Sequence, residues 1–226
     1  MRIPKINSKN TEVIKEQTLS IYGYSKIKPN NMEFLDDDKS KISYVKKVER
    51  MVRSSYEYKE LISFLKEEID MNSCTFLPNL TREDISIEIH HAPFTLFDIT
   101  SILLNHFQNS YTEFSPFDLA EKVIECHYNL EVGLIPLSKT VHELVHNGKI
   151  FIPIDNVFGN VEEFVDKYSD GINENLWNIY NENINASKQL NKENYSPSIL
   201  ERKFTYLNIE GVNFPKLIEQ EEIESA

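Results

Sequence analysis

Beyond residue 41 the apolar residues recur at helical spacing. Ile42, Val45, Val48, Met51 and Val52 lie on one face, and Tyr58, Leu61, Ile62, Leu65 and Ile69 continue the series. This period predicts helix over 42–70, with Ser54-Ser55 as a point where it divides in two. Met71-Asn72-Ser73 ends it, and the short apolar run Cys74-Thr75-Phe76-Leu77 stops at the turn signal Pro78-Asn79. The period then changes to two: Ile85, Ile87 and Ile89 alternate with Ser86 and Glu88, which predicts a strand ending in His90-His91. Helical spacing returns with Leu96, Ile99, Ile102, Leu103 and Phe107, capped by Thr95. Ser115-Pro116 opens a further helix that runs to about Tyr128. After a connector over 133–138 that contains Pro136, residues 139–147 predict a short helix closed by Asn147-Gly148. Residues 149–154 read as a strand. Val161, Phe164, Val165 and Tyr168, then Ile172, Leu176, Trp177 and Tyr180, predict two more helices.

The fold class implied is α+β. Residues 1–41 hold few apolar positions and no sustained period, and read as an N-terminal arm suited to packing on a partner. A helical region over 42–84 follows. Residues 85–154 form a unit that holds both predicted strands and the helices between them over 96–128. Residues 155–226 comprise C-terminal helices, an Asn- and Lys-rich stretch, a short apolar segment at Phe204-Thr205-Tyr206-Leu207-Asn208-Ile209 and an acidic tail.

Composition narrows this picture. The 226 residues are 40% hydrophobic and 11% aromatic, enough to bury a core. There is no run of 18 apolar residues and no signal-peptide pattern, so no membrane partner and a cytoplasmic location are expected. Two cysteines, Cys74 and Cys126, do not make a disulfide framework. The net charge of −12 argues against a protein that coats DNA. The charge is uneven, however: residues 39–66 hold eight Lys/Arg against three Glu. A local basic patch on an acidic chain can meet a phosphate backbone, although such runs are most often a solvated helix face.

The candidate chemistry lies in the histidines. Four of the six fall in two places, His90-His91 and His142-Glu143-Leu144-Val145-His146. Residues four apart share a helix face, so His142 and His146 can reach one atom. Adjacent strand residues point to opposite faces, so His90 and His91 divide naturally into one inward ligand and one base. Imidazoles holding a divalent ion beside a free histidine form a set suited to phosphodiester hydrolysis.

Glu88-Ile89-His90-His91 followed by His142-Glu143-Leu144-Val145-His146-Asn147-Gly148-Lys149 resembles the HNH, or His-Me finger, nucleases, and within them the colicin DNases. There a strand ending in Glu-Leu-His-His precedes a helix reading His-x-x-x-His-x-Gly-Lys. Leu134-Ile135-Pro136-Leu137-Ser138-Lys139-Thr140-Val141-His142 is similar to the Leu-x-Pro-Leu-Cys-x-x-Cys-His run of HNH proteins, with Ser138 and Val141 in place of the cysteines of a structural zinc. The resemblance covers 85–153. It implies a ββα-metal finger enlarged by a helical insertion, and a metal-dependent endonuclease that cuts double-stranded DNA, of a kind often encoded by phages and mobile elements. His90, His142 and His146 would bind one divalent ion (Mg, Mn, Ni or Zn), His91 would be the general base, and Glu88 would orient the site. Two departures stand out. The family's middle Asn, which holds the base in place, falls at Gly133. The gap of 51 residues from His91 to His142 is also about twice that of a compact finger.

Two other readings compete. An inactive finger would serve as a protein-interaction or transcription-associated subunit, with the terminal arms wrapping a partner. Alternatively, His142-Glu143-Leu144-Val145-His146 matches the H-E-x-x-H of zinc peptidases, with Glu143 as base and a third ligand from Glu162 or Glu163. That reading leaves His90-His91 unexplained. Cys126-His127 with Cys74 is a weaker metal candidate, and His106 reads as structural.

Overall fold

The computed structural model describes residues 35–77, 83, 85–110 and 113–189. The expected segments over 1–34, Pro78-Asn79, the Asn- and Lys-rich stretch from 190, the apolar segment 204–209 and the acidic tail lie outside the described residues. The architecture is α+β: a helix-rich body with one two-stranded antiparallel sheet.

The first helical stretch divides at the serines. α1 (Asp38–Ser54) and α2 (Tyr56–Glu67) meet at Ser55, whose backbone is extended at ψ 153°. Ser55 serves both helices. Its hydroxyl donates to the Val52 carbonyl at 2.8 Å and accepts from the Tyr58 amide at 3.1 Å. α1 starts earlier than the apolar period predicts. Asp37 caps it by accepting from the Ser40 amide at 2.9 Å, and Asp38 places a carboxylate against the positive end of the helix dipole. Residues 38–41, which the sequence reads as the end of an arm, are therefore the first turn of a helix. Tyr44, Val45, Val48 and Val52 of α1 and Tyr58, Leu61 and Leu65 of α2 enter the core.

β1 (Ile87–His91) pairs with β2 (Leu134–Ser138), with Ile87 opposite Ser138 and His91 opposite Leu134. Between them run α3 (Leu96–Asn109) and α4 (Pro116–Tyr128). Thr95 and Ser115 cap them, as the sequence predicts, and each cap is completed to a full capping box, by Asp98 and Asp118. α4 and α3 pack against α1. Apolar residues at helical spacing thus become the helical body, while the strands form a small sheet beside it.

The second strand is the expected connector, and 149–154 is not a strand. All five residues of β2 are buried, so it shows no alternation, and Pro136 interrupts its pattern. The outer side of Pro136 is used nonetheless. Its carbonyl accepts from the Thr75 amide at 3.0 Å and the Thr75 hydroxyl at 3.1 Å. Leu134 and Phe158 exchange two backbone bonds of 2.7 Å. On the other strand, the Lys66 ammonium donates to the Ile87 carbonyl at 2.8 Å.

α5 (Lys139–His146) follows β2 directly, with Ser138 as its cap. It ends through Gly148, whose φ of +65° closes the last turn by bonding to the Val145 carbonyl at 2.9 Å. Two short 3₁₀ turns (Ile154–Asn156 and Ser169–Gly171), α6 (Val161–Lys167) and α7 (Glu174–Gln189) complete the described chain.

Gly133, just before β2, is fixed by close approach. A Cβ there would lie 1.9 Å from the Ala92 carbonyl oxygen and 2.4 Å from Val157 Cγ1. The Ala92 amide donates to the Gly133 carbonyl at 3.1 Å, so the backbone cannot back away without losing that bond. No asparagine fits at this position. We expect Gly133→Ala to destabilise the fold by about 3 kcal/mol, read as a lower urea midpoint with unchanged m-value. A loss under about 0.5 kcal/mol would contradict the close packing.

Candidate metal centre

Strand alternation puts Glu88 and His90 on one face of β1 and His91 on the other. The first face looks onto α5. The His90 ring lies edge-on to His142 and His146, with centroids 4.8 and 5.1 Å away. His142 and His146, one helical turn apart, bring their Nε2 atoms to 3.0 Å. One ligand nitrogen from each of His90, His142 and His146 falls within 4.8 Å of the others. Two nitrogens bound to one ion in tetrahedral geometry lie roughly 3.3 Å apart, so the two helical histidines already stand near coordination spacing.

Glu88 completes this side. Its Oε2 accepts from His142 Nδ1 at 2.5 Å. That bond leaves the lone pair of His142 on Nε2, facing His146, as metal-ligating histidines require. His90 is 8% exposed, and its pKa is lowered to about 4 by burial first, then by His142 and His146. It is therefore neutral at physiological pH, the form that binds a metal.

His91 turns inward. It is 6% exposed, lies parallel to the Tyr58 ring, and its Nε2 is 2.9 Å from Nε2 of His127. His127 is fully buried, and its Nδ1 donates to the Val123 carbonyl at 2.6 Å. These bonds set the tautomers. With its proton on Nδ1, His127 can only accept at Nε2, so His91 donates from Nε2 and keeps its lone pair on Nδ1. Burial holds both pKa values down, well below the usual histidine value for His91 and to about 4 for His127.

A cleft of about 450 Å³ joins the two sides of β1. His90, His91, His142 and His146 line it together with Arg53, Tyr58 and Lys66. Glu143 is exposed and lies outside it. Glu163 is bonded to Lys167 and Asn160 on α6, away from the histidines. Cys126 faces Tyr168, with its sulfur 3.6 Å from the phenol oxygen, and takes no part in a ligand group with Cys74 or His127. His106 pairs with Asp170 at 2.7 Å, a structural contact.

The chain matches the family model of Bacteriophage G278-like virion proteins over residues 1–213. It belongs to that family. No curated protein and no solved structure matches it. The finding agrees with a phage origin for this virion protein, and says nothing of a nuclease. Among the described residues, no helix is long and apolar enough to cross a membrane.

His127 enters the sequence reading only as part of a weak metal candidate with Cys126 and Cys74, and is not placed against His91 there. Its signal was available: it continues the inward face of α4 set by Leu119, Ala120 and Val123, which points a histidine into the core.

Two measurements follow for this virion protein. Metal titration should give one divalent site; His142→Ala should weaken it at least tenfold, and Glu88→Gln by about 10-fold to 100-fold. Equal affinity in all three proteins would remove the site. Second, His127 has a folded pKa of about 4 against 6.5 unfolded. Its neutral burial contributes stability that is complete above about pH 6.5. Between 6.5 and 4 the unfolded chain binds the extra proton, so stability falls as pH falls, by about 3 kcal/mol. Urea midpoints at pH 7.5 and 4.5 in chelator should show the drop; equal midpoints would contradict it.

Proposed function

We propose that this virion protein is a metal-dependent endonuclease of HNH type, acting on phosphodiester bonds of double-stranded DNA through a ββα unit formed by β1, β2 and α5. The reading rests on one observation above all. Three imidazoles converge on one side of β1 while a fourth, His91, is held by a buried partner on the other, and one cleft reaches both.

In this reading His90, His142 and His146 hold one divalent ion, which when bound supplies positive charge to the oxygens of the scissile phosphodiester. Glu88 keeps His142 in the ligating tautomer. His91 accepts the proton of the attacking water at Nδ1, the nitrogen that the His127 bond leaves free to accept. His127 does for the base what an asparagine does elsewhere in the HNH group. Gly133 has no room for that asparagine, and the imidazole arrives instead from the inserted helix α4.

A second reading keeps the metal and omits the chemistry: a finger that serves as an assembly module of the virion. The near-complete burial of His91 favours it. A peptidase has less support, since Glu143 lies outside the cleft.

Nicking of supercoiled plasmid decides between the first two. The full chain should nick with Mg²⁺, Mn²⁺, Ni²⁺ or Zn²⁺ and not in chelator. His91→Ala should lower the rate about 100-fold or more. His127→Ala should lower kcat more than it raises KM, as expected of a positioning residue. A wild-type protein inactive with every metal would end the nuclease reading and leave the module.

A further inference from the structure

We infer that the exposed face of α1 is a track for the sugar-phosphate backbone of duplex DNA, leading to the histidine cleft. The inference rests on the nuclease reading for what happens at the end of the track, and not for binding along it.

The face is defined by geometry. Lys46, Arg50 and Arg53 are exposed and spaced four and then three residues apart. At about 100° per residue they form one stripe roughly 60° wide and about 10 Å long. It lies opposite the buried face formed by Tyr44, Val45, Val48 and Val52. The stripe is held in register by its own bonds. Arg50 Nε donates to the Lys46 carbonyl at 3.1 Å, and Arg53 rests on Glu49 at 2.8 Å.

Continuity with the site gives the stripe a direction. Arg53, in the last turn of α1, lines the cleft, and Lys66 lines it from α2, beside His90, His142 and His146. Cations therefore run along the helix and into the cleft. The run Asp36-Asp37-Asp38 bounds the other end. A 10 Å stripe matches about three base-pair steps of one strand. The rest of the chain is strongly acidic, so a polyanion meets attraction here and repulsion elsewhere. That contrast orients the duplex on an acidic protein.

The test uses the full chain in chelator, so that binding is read without cleavage. Fluorescence anisotropy of a labelled 20-base-pair duplex is followed from 50 to 200 mM salt. The double variant Lys46→Gln/Arg50→Gln should bind about tenfold more weakly at 100 mM salt. Its slope of log affinity against log salt should be smaller by about 2, near 0.9 per lost phosphate contact. Lys188→Gln, an exposed position on α7, should leave both unchanged. Retained affinity and slope in the double variant would overturn the track, as would a wild-type protein that fails to bind duplex at 50 mM salt. Binding that depends on Lys46 and Arg50 in a protein that never nicks plasmid supports the track while removing the nuclease reading, so the two failures are distinct.

Discussion

β1 and β2 pair over only five residues, and that register decides how each histidine is used. The strand period of two sends Glu88 and His90 toward α5 and His91 toward α4. A slip by one residue would exchange the faces: His91 would meet the helical histidines, and His90 and Glu88 would be driven into the core. Burying the Glu88 carboxylate on the core face without a partner would cost several kcal/mol, so the shifted register is strongly disfavoured. The close approach at Gly133 and the bond between Ala92 and Gly133 hold the ladder where it is.

The two pairs of imidazoles differ in their surroundings. His91 and His127 form a closed chain that ends on the Val123 carbonyl, in which the polar atoms that meet are matched donor to acceptor. Such a chain tolerates the core because each shared proton has one place to be. His142 and His146 meet Nε2 to Nε2 at the surface, with Glu88 holding the far side of one ring. With its proton on Nδ1, His142 accepts at Nε2 from His146 in the same manner, and what sets this pair apart is the third imidazole, His90, that converges on it. That convergence is what supports a cation at the surface pair, while the buried pair fixes the orientation of His91.

Much of this was legible in the sequence, for reasons that can be named. Helices α1 to α4 follow from apolar spacing and from capping residues whose chemistry is local: Ser55, Thr95 and Ser115 each act within three residues. The meeting of His90 with His142 and His146 was legible because each half is set by a local period. β2 was not, because a fully buried strand has no alternation and Pro136 argued against it. Neither was the partner of His91. His127 reaches it across 36 residues through the packing of α4 behind the sheet, and no period within either element encodes that meeting. Nor was the reason for glycine where the HNH family has its asparagine: the space at Gly133 is taken by Ala92 and Val157, which arrive from elsewhere in the chain.

A sheet of two strands has an open hydrogen-bonding side on each, and particles assembled from many protein copies bring such sides close at high local concentration. Here neither side is bare. Thr75 and Phe158 occupy β2, and the Lys66 ammonium sits on the Ile87 carbonyl of β1. A charged lysine at a strand edge is a strong deterrent to intermolecular strand pairing. The same side chain that brings charge to the cleft therefore also works against intermolecular strand pairing at this edge.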